Sequence, residues 1–186
     1  MNAVAILGSR NPEGQTARAA DAFCQGISQA GGQSEKIFLT HLNIERCRQC
    51  EQNGWGLCRS EGRCVIEDDF AGVVEKMKAA GGVVFANPVY FSDLSESLKS
   101  FLDRLRRTCR HEAGKQGIAG KLAAGICVAG SGGGGAPMAT VSLERVLGTC
   151  GFDTVDMVPV RRQNLELKCK VLTETGKWFA SLTPSA

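Results

Sequence analysis

Histidine is nearly missing: the chain has His41, His111 and no other. That nearly excludes a metal site built on imidazoles. It also excludes a hydrolase elbow at Ser131, since no histidine follows that serine and Ala129 stands where the elbow needs its first glycine. No run approaches the roughly 18 apolar residues that cross a bilayer. The opening MNAVAILGSR lacks the basic start and long apolar stretch of a secretory signal. The expectation is a cytoplasmic protein with no membrane partner. Charge of neither sign dominates. Lys+Arg is 22 against 19 Asp+Glu, a net charge of +3, too little to argue for nucleic acid. Hydrophobic residues make up 43% and charged residues 22%, which excludes a disordered or coiled-coil chain.

What is present is glycine, 23 residues, and cysteine, nine residues, in a chain of 186. That length suits one domain, with no linker or repeat to divide residues 1–186. In a reducing compartment, nine cysteines are metal ligands, redox groups or buried thiols before they are disulfides.

Apolar runs and helical periods alternate along the chain. Ala3–Leu7, Lys36–Leu39, Gly82–Ala86, Leu122–Val128 and Thr154–Val158 read as strands. Helical spacing links Ala19, Ala20, Phe23, Ile27 and Ala30, stopped by Gly31-Gly32. It links Phe70, Val73, Val74 and Met77, with Asp68 and Asp69 at the start, where the helix dipole favours acids. Leu94, Leu98, Phe101, Leu102 and Leu105 mark a further helix, with Arg104, Arg106, Arg107 and Arg110 near its C-terminal end. Met138 to Leu147, closed by Gly151, and Leu165 to Leu182 complete the set. Short, unpatterned apolar strands are those of a sheet covered on both faces, so the fold class is α/β, a doubly wound parallel sheet. His41 to Arg63 has no period and reads as a long functional loop.

Ligands of such sheets bind beyond the carboxyl ends of the strands. Three unusual segments fall there. Gly8–Thr16 follows a strand and opens a helix, so backbone amides and the dipole can hold a phosphate. It lacks the Gly-Lys-Ser/Thr of a nucleotide-triphosphate loop, and its Ser9, Arg10, Gln15 and Thr16 suit a phosphomonoester better. Asn87–Asp93 carries the only tyrosine, Tyr90, beside Phe91, a wall for a flat ring or an aromatic pair filling the sheet rim. Ala129–Gly135 has four consecutive glycines, which let backbone approach a planar ligand or simply make a flexible loop.

Gly8-Ser9…Gly14-Gln15-Thr16, Asn87-Pro88-Val89-Tyr90-Phe91, Leu98-Lys99-Ser100-Phe101-Leu102-Asp103-Arg104 and the glycine loop together resemble the flavodoxin-like NADPH-dependent FMN reductases and their iron–sulfur flavoprotein relatives. The likeness runs over residues 2 to 180. It implies five strands in the order 2-1-3-4-5, with FMN at the sheet edge and NAD(P)H as co-substrate. It implies that Ser9, Arg10, Asn11, Gln15 and Thr16 take the phosphate. The ring would fall to Asn87, Pro88, Val89, Tyr90, Phe91 and Ser92, with Gly130, Ser131, Gly132, Gly133, Gly134 and Gly135. Gln15 stands where the family often has Asn, and Arg10 where it often has Pro. Homodimers or homotetramers are also implied.

Cys47, Cys50, Cys58 and Cys64 are spaced x2, x7 and x5. Thiolates are soft ligands for an iron–sulfur cluster or zinc; free thiols or a redox pair are the other readings. The iron–sulfur relatives carry a compact four-cysteine [4Fe–4S] site in this loop, just before an acidic pair like Asp68-Asp69. Their third cysteine falls where this chain has Asn53, so Cys58 would have to be brought back by a turn at Gly54 and Gly56. Arg46, Arg48 and Arg59 flank the thiols. Cys24, Cys109, Cys127, Cys150 and Cys169 read as structural.

The resulting expectation is an FMN-dependent oxidoreductase passing electrons from NAD(P)H, or a ferredoxin-like donor, to a small-molecule acceptor. FMN does the chemistry, and no side chain is assigned a catalytic role. The rivals are a non-enzymatic flavin or iron–sulfur electron carrier, and a metal- or redox-sensing module without flavin.

Overall fold

The structure is a computed structural model and describes residues 1–182. Five parallel strands, β1 (Asn2–Leu7), β2 (Gln33–Phe38), β3 (Gly82–Pro88), β4 (Leu122–Ala129) and β5 (Asp153–Arg161), form one sheet in the order β2-β1-β3-β4-β5. β3 and β4 lie inside the sheet and are almost wholly buried, as their largely apolar sequences require.

Helices cover both faces. α1 (Gln15–Gln29) and α7 (Leu165–Ser181) pack on one, around Phe23, Ile27, Leu172 and Phe179. They touch backbone to backbone. A Cβ on Gly26 would lie 2.0 Å from the carbonyl oxygen of Thr173, and one on Gly176 2.1 Å from that of Phe23. α3 (Phe70–Ala79), α4 (Glu96–Cys109) and α6 (Ala136–Cys150) cover the other face, over Phe85, Phe101, Leu102 and Leu143. Two four-residue helices, α2 (Leu57–Ser60) and α5 (Glu112–Lys115), lie outside the layers.

The order of strands and helices is as the sequence pattern predicts. The larger boundary differences fall in three elements. β2 begins at Gln33 because Gln33, Ser34 and Glu35 are exposed on an edge strand, where burial writes no apolar signal. Leu39 leaves the strand for a 3₁₀ turn, Leu39–His41. β5 runs past Pro159 to Arg161; on the opposite edge a proline without an N–H is tolerated. α4 starts at Glu96, where the Ser95 hydroxyl caps it by accepting from the Leu98 amide at 3.4 Å.

Asp68 and Asp69 stand at the start of α3, as expected, where Asp68 accepts from the Phe70 amide at 3.2 Å. Their carboxylates also fasten the long loop. The Asn43 amide donates to Asp69 at 2.7 Å and the Glu45 amide to Asp68 at 2.8 Å. Arg104, in the C-terminal half of α4 as expected, is a buried cation. It is 1% exposed and paired with Asp68. Among the described residues, no helix is long and apolar enough to cross a membrane.

Candidate functional site

Strand order reverses between β1 and β3, and beside this point a crevice opens between the start of α1 and the carboxyl ends of β3 and β4. Its volume is about 520 Å³, inside the range of roughly 300–1,000 Å³ of small-molecule sites. Gln15 and Thr16 line one end, Pro88 to Ser92 one wall, and Gly130 to Gly134 another. The three segments singled out in the sequence therefore meet in one space.

At the phosphate end, α1 opens after Gly14 with no side-chain cap and no acid in its first turn. Its first amides have no partner within the helix, and the dipole adds positive potential there. Thr16 and Ser9 are buried, 5% and 7% exposed, and the Ser9 hydroxyl donates to the Asn11 carbonyl at 3.3 Å. Gln15 Oε1 is buried without a hydrogen-bond partner. An orphaned polar atom at the mouth of a helix-terminal site is what a missing ligand leaves behind. Arg10 and Asn11 are exposed beside this end; Arg10 faces a neighbouring hollow that it shares with Thr40, Ser97 and Tyr90.

The ring end is walled by backbone. A Cβ built on Gly130, Gly132 or Gly134 meets nothing within 4 Å, so open space lies directly against the main chain. Gly133 has φ +72° and its missing side chain leaves room for Gln163, whose amide donates to the Gly132 carbonyl at 3.1 Å. Gln163 pins the loop, and nothing in its sequence context announced this. On the facing wall, Tyr90 and Asp93 exchange backbone hydrogen bonds at 3.0 and 2.9 Å around Phe91 (φ 48°) and Ser92 (φ 66°). This is a two-residue hairpin of type I′, which glycine and asparagine normally fill. Non-glycine residues held there carry strain of about 1–3 kcal/mol. Phe91 is fully exposed and Tyr90 is 57% exposed at the crevice rim. Asn87 stands behind the wall, fully buried; its Oδ1 accepts from the Ser95 amide at 2.8 Å, and its Nδ2 has no partner. Gly135, at φ +79°, backs onto Ser92 and caps α6.

The four cysteines meet in a second cavity. Cys47, Cys50, Cys58 and Cys64 all line it. The turn that the spacing requires is present: Gly54 has φ +77°, and a Cβ on Gly56 would lie 3.1 Å from the Cβ of Cys50. Cys58 is carried back on α2. The space is small, about 20 Å³, room for about one water. Among the described residues, no three candidate ligands stand close enough to clasp a single metal ion.

The cations on this cavity differ from those the sequence suggested. Arg48, Arg104 and Arg107 line it, whereas Arg46 and Arg59 do not. Arg104 is paired to Asp68 in a two-pronged ion pair, 2.6 and 2.9 Å. It also donates to the carbonyls of Glu45 (3.0 Å) and Ile66 (3.5 Å), and stacks 4.2 Å from the Phe70 ring centre. Burial opposes charge on both partners. The pair and the Glu45 amide outweigh it, holding the Asp68 carboxyl below the usual range and the Arg104 guanidinium above its own. One sequence signal could have found Arg104: it falls three residues after Phe101, on the buried face of α4. Of the remaining cysteines, Cys24, Cys109, Cys127 and Cys150 are buried thiols and Cys169 is half-buried. Burial pushes Cys127 up to about 11 and raises Cys24, Cys109 and Cys150.

Comparison with known proteins agrees with this geometry. The sequence profile described as "NADPH-dependent FMN reductase" matches residues 1–165. An iron–sulfur flavoprotein of Methanocaldococcus jannaschii is 35% identical over 106 residues, 57% of this chain and 52% of the relative. One from Methanosarcina thermophila is 30% identical over 138 residues, 73% and 66%. The chain thus spans about half to two thirds of the length of these curated relatives. Among solved structures, an NAD(P)H:quinone oxidoreductase from Methanothermobacter marburgensis superposes with a TM-score of 0.71 at 19% identity, covering 100% of this chain and 99% of that one. At that identity the likeness speaks for the fold.

Proposed function

Because this chain belongs to the NADPH-dependent FMN reductase family, we propose that it is an FMN-dependent oxidoreductase that takes electrons from NAD(P)H, or from a one-electron donor of ferredoxin type, and passes them to a small acceptor. The balance is NAD(P)H + H⁺ + acceptor going to NAD(P)⁺ + reduced acceptor. The observation that carries the reading is the convergence of the α1 terminus, the Tyr90 hairpin and the glycine loop on one crevice.

Bound FMN would supply the redox chemistry, as the cofactor does in such proteins. The chain's own work is placement. The open amides of α1, with Ser9 and Thr16, would take the phosphate. Gln15 can turn either end of its amide to the ligand. The side-chain-free face of Gly130, Gly132 and Gly134 would lie along one side of the ring and Pro88 to Ser92 along the other. No acid or base in the crevice is required to move a proton.

The second cavity supports an iron–sulfur centre as partner to the flavin. Its donor set is four thiols with guanidiniums beside them and no carboxylate on the wall. By donor chemistry four thiols suit a cluster, whose irons each take one thiolate, better than a single zinc ion that must gather all four, and the loop would open to admit it, since the space between the thiols holds only about one water.

The test is an anaerobic visible spectrum of FMN-loaded protein with iron and zinc analysis, followed by NAD(P)H oxidation with a quinone acceptor. The expected result is a yellow protein that bleaches with NAD(P)H and turns over. Bleaching by dithionite alone, with no NAD(P)H oxidation, makes it an electron carrier. A colourless protein with stoichiometric zinc overturns the flavin reading.

A further inference from the structure

Arg104 and Arg107 stand three residues apart on one face of α4, and both line the cysteine cavity. Their surroundings differ. Arg104 has five N–H donors. The two on Nη1 are taken by Glu45 and Asp68, and the two on Nη2 by Ile66 and Asp68. The fifth, on Nε, is buried with no partner, a costly state for a donor that is not meant to have one. Cys64 lines the same cavity as this guanidinium. Arg107 is half-buried. It donates to the Gly54 carbonyl at 2.7 Å and stacks 4.5 Å from the Trp55 ring centre, so it holds the far end of the loop. Among the described residues it makes no ion pair, unlike Arg48 with Glu45 and Arg104 with Asp68.

The cavity therefore carries one uncompensated cation and one idle donor. Neutral thiols answer neither. Four thiolates around a doubly charged iron–sulfur core leave a net anion, which answers both.

We propose that α4 tunes the iron–sulfur centre through these two residues: Arg107 by its unpaired charge, and Arg104 as a positioning residue whose Nε–H is reserved for the sulfur of Cys64. This rests on the cluster reading given above. A reduced cluster is one charge more negative than an oxidised one, so a nearby cation favours reduction and raises the potential. Arg107 sets that bias, while Arg104 fixes where Cys64 sits.

The experiment uses full-length protein reconstituted anaerobically with iron and sulfide. Iron and acid-labile sulfide are measured, and the cluster midpoint is read by EPR-monitored titration. Arg107→Gln is expected to keep its iron and to shift the reduction equilibrium about tenfold toward the oxidised form, about 59 mV downward. Arg107→Lys, which keeps the charge and loses the planar stack, is expected to keep the midpoint. Arg104→Lys is expected to lose iron content. Should it fail to fold, the two Arg107 variants still decide the matter. An unchanged midpoint in Arg107→Gln overturns the proposal, and so does an equal shift in both Arg107 variants, which would make the residue a fastener of the loop. Wild-type protein that takes up no iron overturns the cluster reading and this proposal with it, while its flavin spectrum stands as a separate result.

Discussion

The crevice above β3 and β4 and the cavity under the cysteine loop are built by opposite means. The crevice is main chain. Its walls are the ends of strands and a run of glycines, and sheet register puts them there. The cavity is side chain. It lies in a loop without regular pairing, held by a few side chains, chief among them one buried guanidinium on α4 that reaches three points along it. A site made by topology survives the loss of any single side chain. A site hung on one ion pair does not.

The widest separation between the two should come from Asp68→Ala. Truncation leaves Arg104 charged, buried and unpaired, a loss of about 3–5 kcal/mol. Urea denaturation is expected to show that loss, and hydrogen exchange to place the opening in residues 42–69, with FMN affinity changed less than severalfold. A cost below about 1 kcal/mol would detach the loop's order from the pair. The pair also has a pH signature. The Asp68 carboxyl lies below its unfolded value of about 3.9. Its contribution is therefore complete above that value and lost as pH falls through the lower, folded one. The stability gap between wild type and Asp68→Asn should hold constant at neutral pH and close in the acid range below about pH 4.

The same contrast explains what could be read from sequence. Strands β1, β3 and β4 announce themselves because both their faces are buried, so all their residues but Asn2 and Asn87 are apolar. The crevice follows, since a strand's carboxyl end is fixed once the strand is. Cys47, Cys50, Cys58 and Cys64 are visible as a set through their chemistry alone. What holds them is not. Arg104 and Asp68 are 36 positions apart, and each fits a bland local account, a helix-end cation and a helix-start acid. Gln163 reaches the glycine loop across 31 positions with no local mark at all. Local rules find elements, and long-range pins appear only when the elements are packed.

An intermediate effect should strike the crevice alone. Gly134 has open space where a side chain would grow, and its φ is not in the left-handed region. Gly134→Leu is expected to leave stability within about 0.5 kcal/mol. It should raise the FMN dissociation constant at least tenfold, about 1.4 kcal/mol, with iron content as in wild type. Fluorescence titration with FMN and a thermal melt check both halves. Unchanged affinity would remove the glycine wall from the site.

The smallest effect tests whether strain in the crevice wall is held for the ligand's sake. Phe91 is left-handed and fully exposed, so glycine in its place loses no packing and relieves a conformation that costs an ordinary residue about 1–2 kcal/mol. Glycine also loosens the unfolded chain, which takes back about 0.4–1 kcal/mol. The net expectation for Phe91→Gly is a gain of about 0.5–1 kcal/mol in ligand-free stability, read from the urea midpoint, together with FMN binding weakened severalfold. Opposite signs in the two measurements are the mark of strain kept for a ligand. A variant that loses stability would mean instead that the Phe91 ring supports the hairpin, and the crevice wall would then depend on a side chain just as the cysteine cavity does.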